Sequence, residues 1–126
     1  MTEAGPVRVM LVEDHADFRR LVAAWVDRED DMEMVAQAGS LEEARRHLAS
    51  AGCDVAVLDM GLPDGFGSDL VAELRELRPP SAALILSAGL DVPTLARARG
   101  AGADGILDKF AEPKEVVGAI RRLGNA

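Results

Sequence analysis

The sequence predicts an α/β fold, a doubly wound sandwich in which helices cover both faces of a five-stranded parallel sheet. Five short apolar runs alternate along the chain with segments of helical spacing. The runs are continuous rather than interrupted by polar residues, which is typical of parallel strands buried on both faces. Because crossovers between parallel strands are right-handed, the expected architecture has three layers and the strand order 2-1-3-4-5.

Each predicted strand is one of the apolar runs. The runs cover residues 7–12, 32–36, 55–58, 82–86 and 105–107. Glycine and proline mark the connections between units, for example at Gly52 and at Pro79-Pro80. Five strand-helix units are too few to close an eight-stranded barrel, so an open sheet is expected.

The helices are indicated by apolar stripes and by start signals. Three stripes repeat every three to four residues, as on one face of a helix. They are formed by Phe18, Leu21, Val22, Trp25 and Val26, by Phe66, Leu70, Leu74 and Leu77, and by Val116, Val117, Ile120 and Leu123. Ser40 and Glu43 form a capping box that predicts the start of the second helix. Asp91 stands at the expected N-cap of the fourth helix, ahead of Pro93.

The composition indicates one acidic globular domain. With 48% hydrophobic residues in a chain of 126, we expect a single domain over 1–126 with a core from about 7 to 123. Fourteen basic against 22 acidic residues give a net charge of -8, which argues against direct nucleic-acid binding by this segment. The lone cysteine, Cys53, excludes an internal disulfide and predicts a cytoplasmic location. No apolar run reaches membrane-spanning length, so no membrane association is expected.

Polar side chains follow four of the predicted strands at the point where each strand ends. They are Glu13-Asp14, Asp59, Ser87 and Asp108-Lys109. Open parallel sheets bind ligands beyond the carboxyl ends of their strands, so these groups should converge on one shallow pocket. Three carboxylates in one place need a cation, and oxygen ligands with access to water suit Mg²⁺. A carboxylate, a hydroxyl and a lysine around such a metal predict phosphoryl transfer, with Asp59 attacking phosphorus.

Each of these residues also has a plainer interpretation. Glu13 and Asp14 could cap the first helix and complement its dipole. Asp59 could be a turn residue, Ser87 could satisfy a backbone amide, and Lys109 could be solvated. The occurrence of all four groups at strand ends favours the functional interpretation.

The motifs at these strand ends resemble those of receiver domains in bacterial two-component response regulators, especially receivers joined to helix-turn-helix output domains. The resemblance is carried by four segments and covers nearly the whole chain, from about Val7 to about Leu123. The segments are Val-Glu-Asp-His at 12–15, Leu-Asp-Met-Gly-Leu-Pro-Asp-Gly at 58–65, Leu-Ser-Ala-Gly at 86–89 and Gly-Ala-Asp-Gly-Ile-Leu-Asp-Lys at 102–109. It implies a flavodoxin-like (βα)5 fold and a signalling phosphoacceptor rather than an enzyme acting on other substrates.

The resemblance also implies roles for the site residues. Asp59 would accept a phosphoryl group from a histidine kinase or a phosphotransfer protein. Magnesium would be surrounded by Glu13, Asp14, Asp59 and the backbone carbonyl of Met60. Ser87 would be the switch hydroxyl and Lys109 the phosphate-binding lysine. The phosphorylated domain would then control an output domain or a partner, with a homodimer as one possible assembly.

Two positions depart from the family pattern. Ile106 stands where receivers commonly have a tyrosine or phenylalanine that moves with the switch hydroxyl. Phe110 follows Lys109 where the family usually has a cis proline, so a trans peptide bond is expected there. Ile106 leaves open a degenerate receiver that acts as a docking module without phosphorylation. A magnesium-dependent phosphohydrolase is disfavoured, because such enzymes usually need an aspartate at the position of Gly61.

Overall fold

The chain, described by a computed structural model over residues 5–125, forms the predicted three-layer sandwich. The predicted domain included residues 1–4 and 126, which lie outside this range. The main sheet contains the strands β1 (Val7–Val12), β2 (Met32–Ala38), β3 (Val55–Asp59), β6 (Ala82–Ser87) and β7 (Gly105–Asp108). A small antiparallel pair is formed by β4 (Gly61–Leu62) and β5 (Gly65–Phe66). The helices are α1 (Ala16–Asp27), α2 (Leu41–Ser50), α3 (Asp69–Leu77), α4 (Val92–Ala101) and α5 (Pro113–Gly124).

The main sheet is parallel and has the order β2-β1-β3-β6-β7. This order is the predicted 2-1-3-4-5 once the small pair β4–β5 is set aside. Four strands extend one or two residues beyond the apolar runs. As a result Asp59 and Ser87 are the last residues of their strands, where Asp59 pairs with Leu86 and Ser87 with Asp108. The sheet itself therefore positions both side chains.

Two apolar layers fill the space between the sheet and its helices. On one face, α2, α3 and α4 pack on residues such as Met10, Leu58 and Ile85. On the other face, α1 and α5 pack on residues such as Leu11 and Val57. Neighbouring residues of one strand thus serve opposite layers, as the pleat requires. Cys53 is buried, and burial raises the pKa of its thiol to about 11.

The second predicted helical stripe is wrong at its start. Phe66 lies in β5 rather than in α3, and it pairs with Gly61 across the small antiparallel sheet. Helix α3 begins at Asp69 and buries Leu70, Val71 and Leu74. The exposed Phe66 ring instead lies under the Arg97 guanidinium of α4, 3.9 Å from its carbon to the ring centroid. An apolar residue four positions before Leu70 matched the helical period without belonging to the helix.

The predicted helix caps are confirmed, and the start of α2 has an additional one. Ser40 Oγ accepts a hydrogen bond from the Glu43 amide at 3.2 Å, and Asp91 accepts one from Thr94 at 2.8 Å. In addition, the Asp64 carboxylate accepts bonds from the Leu41 and Glu42 amides at 2.9 and 3.0 Å. The Leu41 amide is the main cause of the lowered pKa of Asp64. The loop after β3 is therefore held against the start of α2.

Helix α4 is anchored less firmly than the other helices. Ala98 is its one buried residue, whereas α5 buries four. Val92, in its first turn, is 79% exposed. Gly100 lies inside the helix and has open space where a side chain would stand. Within residues 5–125, no helix combines the length and the apolar character needed to cross a membrane.

Candidate functional site

Three carboxylates meet at the carboxyl ends of β1 and β3. Glu13 follows β1, and its amide donates to the Ala38 carbonyl of β2 at 2.9 Å, which continues the sheet by one residue. Glu13 and Asp59 are buried, whereas Asp14 is exposed. One carboxylate oxygen from each of the three residues lies within 4.8 Å of the others. The structure therefore brings together the three acidic residues that were predicted to hold a metal.

Lys109 reaches this cluster from the end of β7. Its amide donates to the Ser87 carbonyl at 2.7 Å, which fixes the start of its side chain. Its Nζ lies 2.8 Å from Glu13 Oε1 and 3.3 Å from Asp59 Oδ2. Burial favours the neutral amine, but the hydrogen bonds and charges of the two carboxylates outweigh it and raise the pKa of Lys109. Lys109 is therefore an ammonium that offsets part of the negative charge.

Glu13 is a buried carboxylate that is suited to bind a cation. Burial is the main cause of its raised pKa, and the neighbouring Asp59 charge adds to the effect. Its Oε2 accepts a hydrogen bond from the His15 amide at 2.9 Å, so part of its role is to support the start of α1. Its buried Oε1 forms an ion pair with Lys109, whose Nζ lies 2.8 Å away. A buried carboxylate oxygen beside two further carboxylates, with one ammonium to offset their charge, suits a hard divalent cation such as Mg²⁺.

The Met60 carbonyl, predicted as a fourth metal ligand, already accepts one hydrogen bond. The donor is the Gly67 amide at 2.9 Å. A carbonyl oxygen has two lone pairs, so one remains for a metal, and this ligand stays a prediction. The Met60 amide donates to the Leu86 carbonyl at 3.0 Å, which extends the pairing of β3 with β6 past Asp59.

Ser87 faces the same open cleft from the end of β6. The cleft has a volume of about 350 Å³. Its charged and polar lining consists of Asp14, Asp59, Ser87, Asp91, Thr94 and Lys109. The Ser87 hydroxyl donates to the Gly89 carbonyl at 2.6 Å, so it is bonded within its own loop. Thr94 of helix α4 and its N-cap Asp91 line the cleft, so the start of this helix forms one wall.

The two positions that depart from the family pattern, Ile106 and Phe110, line a different cleft. Ile106 is half-buried in β7 and packs against the core layer that includes Ala98 of α4. Phe110 is 81% exposed. All peptide bonds in the described part of the chain are trans, as expected for the Lys109-Phe110 bond. The switch role predicted for Ser87 and Ile106 stays a prediction.

Gly67 is a site residue that sequence reasoning missed. A Cβ at this position would lie 2.1 Å from the Asp59 carbonyl oxygen and 3.2 Å from Leu58 Cβ. The chain can therefore return past β3, and donate to Met60, because residue 67 has no side chain. The glycine-rich loop after Asp59 was the available signal, but spacing alone did not distinguish Gly67 from Gly61 or Gly65.

Replacing Gly67 by alanine is expected to destabilise the domain and to displace Asp59. The new methyl group overlaps backbone that cannot rotate away, so we expect a cost of about 1–3 kcal/mol in the free energy of unfolding. Urea unfolding measures that cost, and the rate of phosphorylation by a small donor reports the displacement. Gly61→Ala is the control, because a Cβ there meets nothing within 4 Å. Equal stability of the two variants would contradict the close approach at Gly67.

The sequence matches a known protein family. The family model for the response regulator receiver domain matches residues 9–121. The DNA-binding transcriptional activator DevR/DosR of Mycobacterium tuberculosis is 35% identical over 118 residues, which cover 94% of this chain and 54% of that protein. The transcriptional regulatory protein UhpA of Escherichia coli is 34% identical over 118 residues, which cover 93% of this chain and 58% of that protein. The chain thus spans little more than half the length of these curated relatives.

Solved structures agree with the sequence matches. The crystal structure of a two-component response regulator of the LuxR family from Aurantimonas sp. SI85-9A1 has a TM-score of 0.87 at 28% identity, covering 96% of this chain and 86% of that chain. A CheY-like receiver domain protein from Methanospirillum hungatei has a TM-score of 0.86 at 19% identity and supports the fold alone. The family match includes every strand end that carries the acidic cluster, the lysine and the serine. The chain therefore belongs to the response regulator receiver domain family.

Proposed function

We propose that this domain accepts a phosphoryl group on Asp59 in a magnesium-dependent reaction and thereby switches a signalling output. The observation that carries the proposal is the meeting of Glu13, Asp14, Asp59 and Lys109 at one edge of the sheet. Family membership supports the signalling role. The donor would be a phosphohistidine of a histidine kinase or of a phosphotransfer protein.

In the proposed reaction one bond to phosphorus forms and one breaks. A carboxylate oxygen of Asp59 attacks the phosphorus atom, the bond from phosphorus to the donor nitrogen breaks, and the bonding electrons leave with the imidazole. Asp59 then carries an acyl phosphate. Because Asp59 ends β3 at the floor of the cleft, the donor approaches from the open side.

The remaining side chains assist by charge and by hydrogen bonding. The Lys109 ammonium, which pairs with Asp59 before the reaction, is within reach of a phosphoryl oxygen bound to that residue. Ser87 can exchange its bond to Gly89 for one to a second phosphoryl oxygen. Glu13, Asp14, Asp59 and the Met60 carbonyl would hold Mg²⁺, which offsets negative charge on the transferring group when it is bound.

The signal would leave through the elements that Ser87 adjoins. The phosphoryl group adds roughly -1.5 to -2 charge at the floor of the cleft. A Ser87 hydroxyl turned toward that charge would no longer hold the loop before α4. The output would be a linked domain or a separate partner. A linked domain is supported by the relative DevR/DosR, a DNA-binding transcriptional activator of which this chain covers 54%. A homodimer and a cytoplasmic location also remain predictions.

A second candidate is a docking module that acts without phosphorylation. It is favoured by Ile106, whose side chain is aliphatic and packed against the core layer next to α4. An aromatic ring that swings outward is therefore lacking at this position. The complete acidic cluster with its lysine is the observation against this candidate.

Intact-mass spectrometry with acetyl phosphate tests the proposed function. With Mg²⁺, the wild-type protein is expected to gain the mass of one phosphoryl group. With a chelator in place of Mg²⁺, the gain should disappear, because the repulsion of three carboxylates and an incoming phosphate is then not offset. No gain with Mg²⁺ would favour the docking module. An equal gain with the chelator would contradict the magnesium requirement.

A further inference from the structure

We propose that Phe18 is a positioning residue for Lys109, and that its ring holds the ammonium where it can pair with the phosphoryl group. The claim that Phe18 holds Lys109 does not depend on the proposed function. The claim that the ammonium then pairs with a phosphoryl group rests on it. The contact is direct, because Lys109 Nζ lies 5.0 Å from the centroid of the Phe18 ring. The sequence placed Phe18 in the apolar stripe of α1 and gave it no role at the site.

The ammonium has three neighbours that attract a positive charge. The carboxylates of Glu13 and Asp59 approach it at 2.8 and 3.3 Å, and the Phe18 ring is the third. The face of an aromatic ring carries partial negative charge and attracts a cation within about 6 Å. The Lys109 side chain is 16% exposed, so water screens this attraction weakly.

The ring differs from the two carboxylates in what happens during the reaction. Asp59 changes from a carboxylate to an acyl phosphate, and Glu13 shares its charge with a bound cation. Phe18 takes part in neither event. Its attraction for Lys109 therefore persists while the other two change, which limits the rotamers of a long and flexible side chain at the moment when it must find a phosphoryl oxygen.

Phe18 is itself held in place. It packs against the core layer under α1 and α5, and its ring meets that of Trp25 edge to face, with centroids 6.2 Å apart at 90°. A ring fixed by these contacts can hold a lysine better than a mobile one. Simple core packing is the alternative role of Phe18, and it makes no use of the charge on the ring face.

The first measurement needs neither metal nor phosphate. The chain has two lysines, Lys109 and Lys114, and the Lys114 side chain is 84% exposed. In protein labelled with ¹³C at lysine Cε, the Lys109 methylene protons should be shifted upfield by the ring current of Phe18, with Lys114 as the internal reference. Phe18→Leu should remove the shift, and Phe18→Tyr, which keeps the ring, should largely keep it. A Lys109 signal that does not respond to Phe18→Leu would overturn the proposal.

The second measurement is the affinity for beryllofluoride, a phosphoryl analogue, with Mg²⁺ present. Phe18→Leu keeps apolar bulk but has no ring, and we expect affinity about five- to tenfold weaker. Phe18→Tyr should bind within about twofold of the wild type, because it keeps the ring face. Phenylalanine analogues with one, two and three fluorine atoms should weaken binding progressively, since fluorine withdraws charge from the face with little change in size.

The outcomes separate the inference from the function on which it rests. Graded weakening along the fluorinated series supports a charge-dependent role, because core packing alone does not follow ring charge. Equal affinities for Phe18→Leu, the fluorinated proteins and the wild type would overturn the positioning role. A wild type that fails to bind beryllofluoride would overturn the proposed function and the phosphoryl part of the inference. The ring-current shift would then still report whether Phe18 holds Lys109.

Discussion

Asp59→Asn is expected to abolish the gain of a phosphoryl group from acetyl phosphate. Asparagine has nearly the same shape, but its amide is too poor a nucleophile to form the acyl phosphate. The variant also lacks one of the three metal-binding carboxylates, so stabilisation by Mg²⁺ should be weaker. The metal-free protein should be at least as stable as the wild type, because removing one charge relieves repulsion with Glu13. Intact mass and urea unfolding with a chelator measure these effects.

Asp54→Asn is the matched control for that substitution. Asp54 lies just before β3, at the end of the strand opposite to Asp59, and its carboxylate accepts a hydrogen bond from the Arg8 amide at 2.8 Å. Asparagine can keep that bond, so phosphorylation should be unchanged. Continued phosphorylation of Asp59→Asn would show that another residue is the acceptor.

Lys109→Met is expected to destabilise the metal-free protein by about 3 kcal/mol, as does the removal of one partner from other buried ion pairs. The side chains involved are nearly buried, with Glu13 1% and Lys109 16% exposed. Without the ammonium, Glu13 and Asp59 face each other with no counter-charge. Mg²⁺ should restore most of the lost stability and should bind more tightly than to the wild type, because Lys109 no longer competes for the same oxygens. Urea unfolding with and without Mg²⁺ measures both effects.

The pH dependence gives Lys109→Met a second signature. The folded-state pKa of Glu13 is already raised above 4.5, mainly by burial, and loss of Lys109 should raise it further. A carboxyl with a raised pKa weakens folding only where it is ionised in the unfolded chain. The loss in free energy of unfolding caused by Lys109→Met should therefore be small below about pH 4. It should grow as the pH rises through the raised pKa of Glu13.

Lys114→Met is the control for both measurements on Lys109. Its side chain is 84% exposed, and its nearest carboxylate, that of Glu112, is 3.9 Å away. We expect a change within about 0.5 kcal/mol that depends little on pH or Mg²⁺. If Lys109→Met behaved like this control, the ion pairs of Lys109 with Glu13 and Asp59 would not contribute to stability.

The sequence predicts this fold well because its strands are apolar on both sides. The continuous runs identified all five strands of the main sheet, but they ended before the polar residues Asp59, Ser87 and Asp108. Periodicity detects burial, whereas a strand ends where its hydrogen bonds end. The same rule explains the false start of the α3 stripe at Phe66, because a half-exposed residue in a hairpin can match a helical period by chance.

The residues of the candidate site that lie at or directly after the ends of strands were predictable from the sequence. Glu13, Asp14, Asp59, Ser87 and Lys109 all line or border the cleft, since parallel strands end at one edge of the sheet. The supporting contacts were not predictable. The need for a glycine at position 67 arises because the loop folds back over Asp59. The contact of Phe18 arises because the Lys109 side chain, from the end of β7, lies over its ring. Such contacts join residues far apart in the chain, and they leave no periodic signal.

The weak anchoring of α4 has a consequence for hydrogen exchange. A helix opens locally at a free energy set by the apolar surface that holds it down, and α4 has only Ala98 fully buried. Its interior Gly100 lowers helix stability further. The amides of α4 should therefore exchange with solvent sooner than those of α5. Because Thr94 of this helix and its N-cap Asp91 line the cleft, the wall beside Asp59 should also be displaced at a lower cost in free energy than α5.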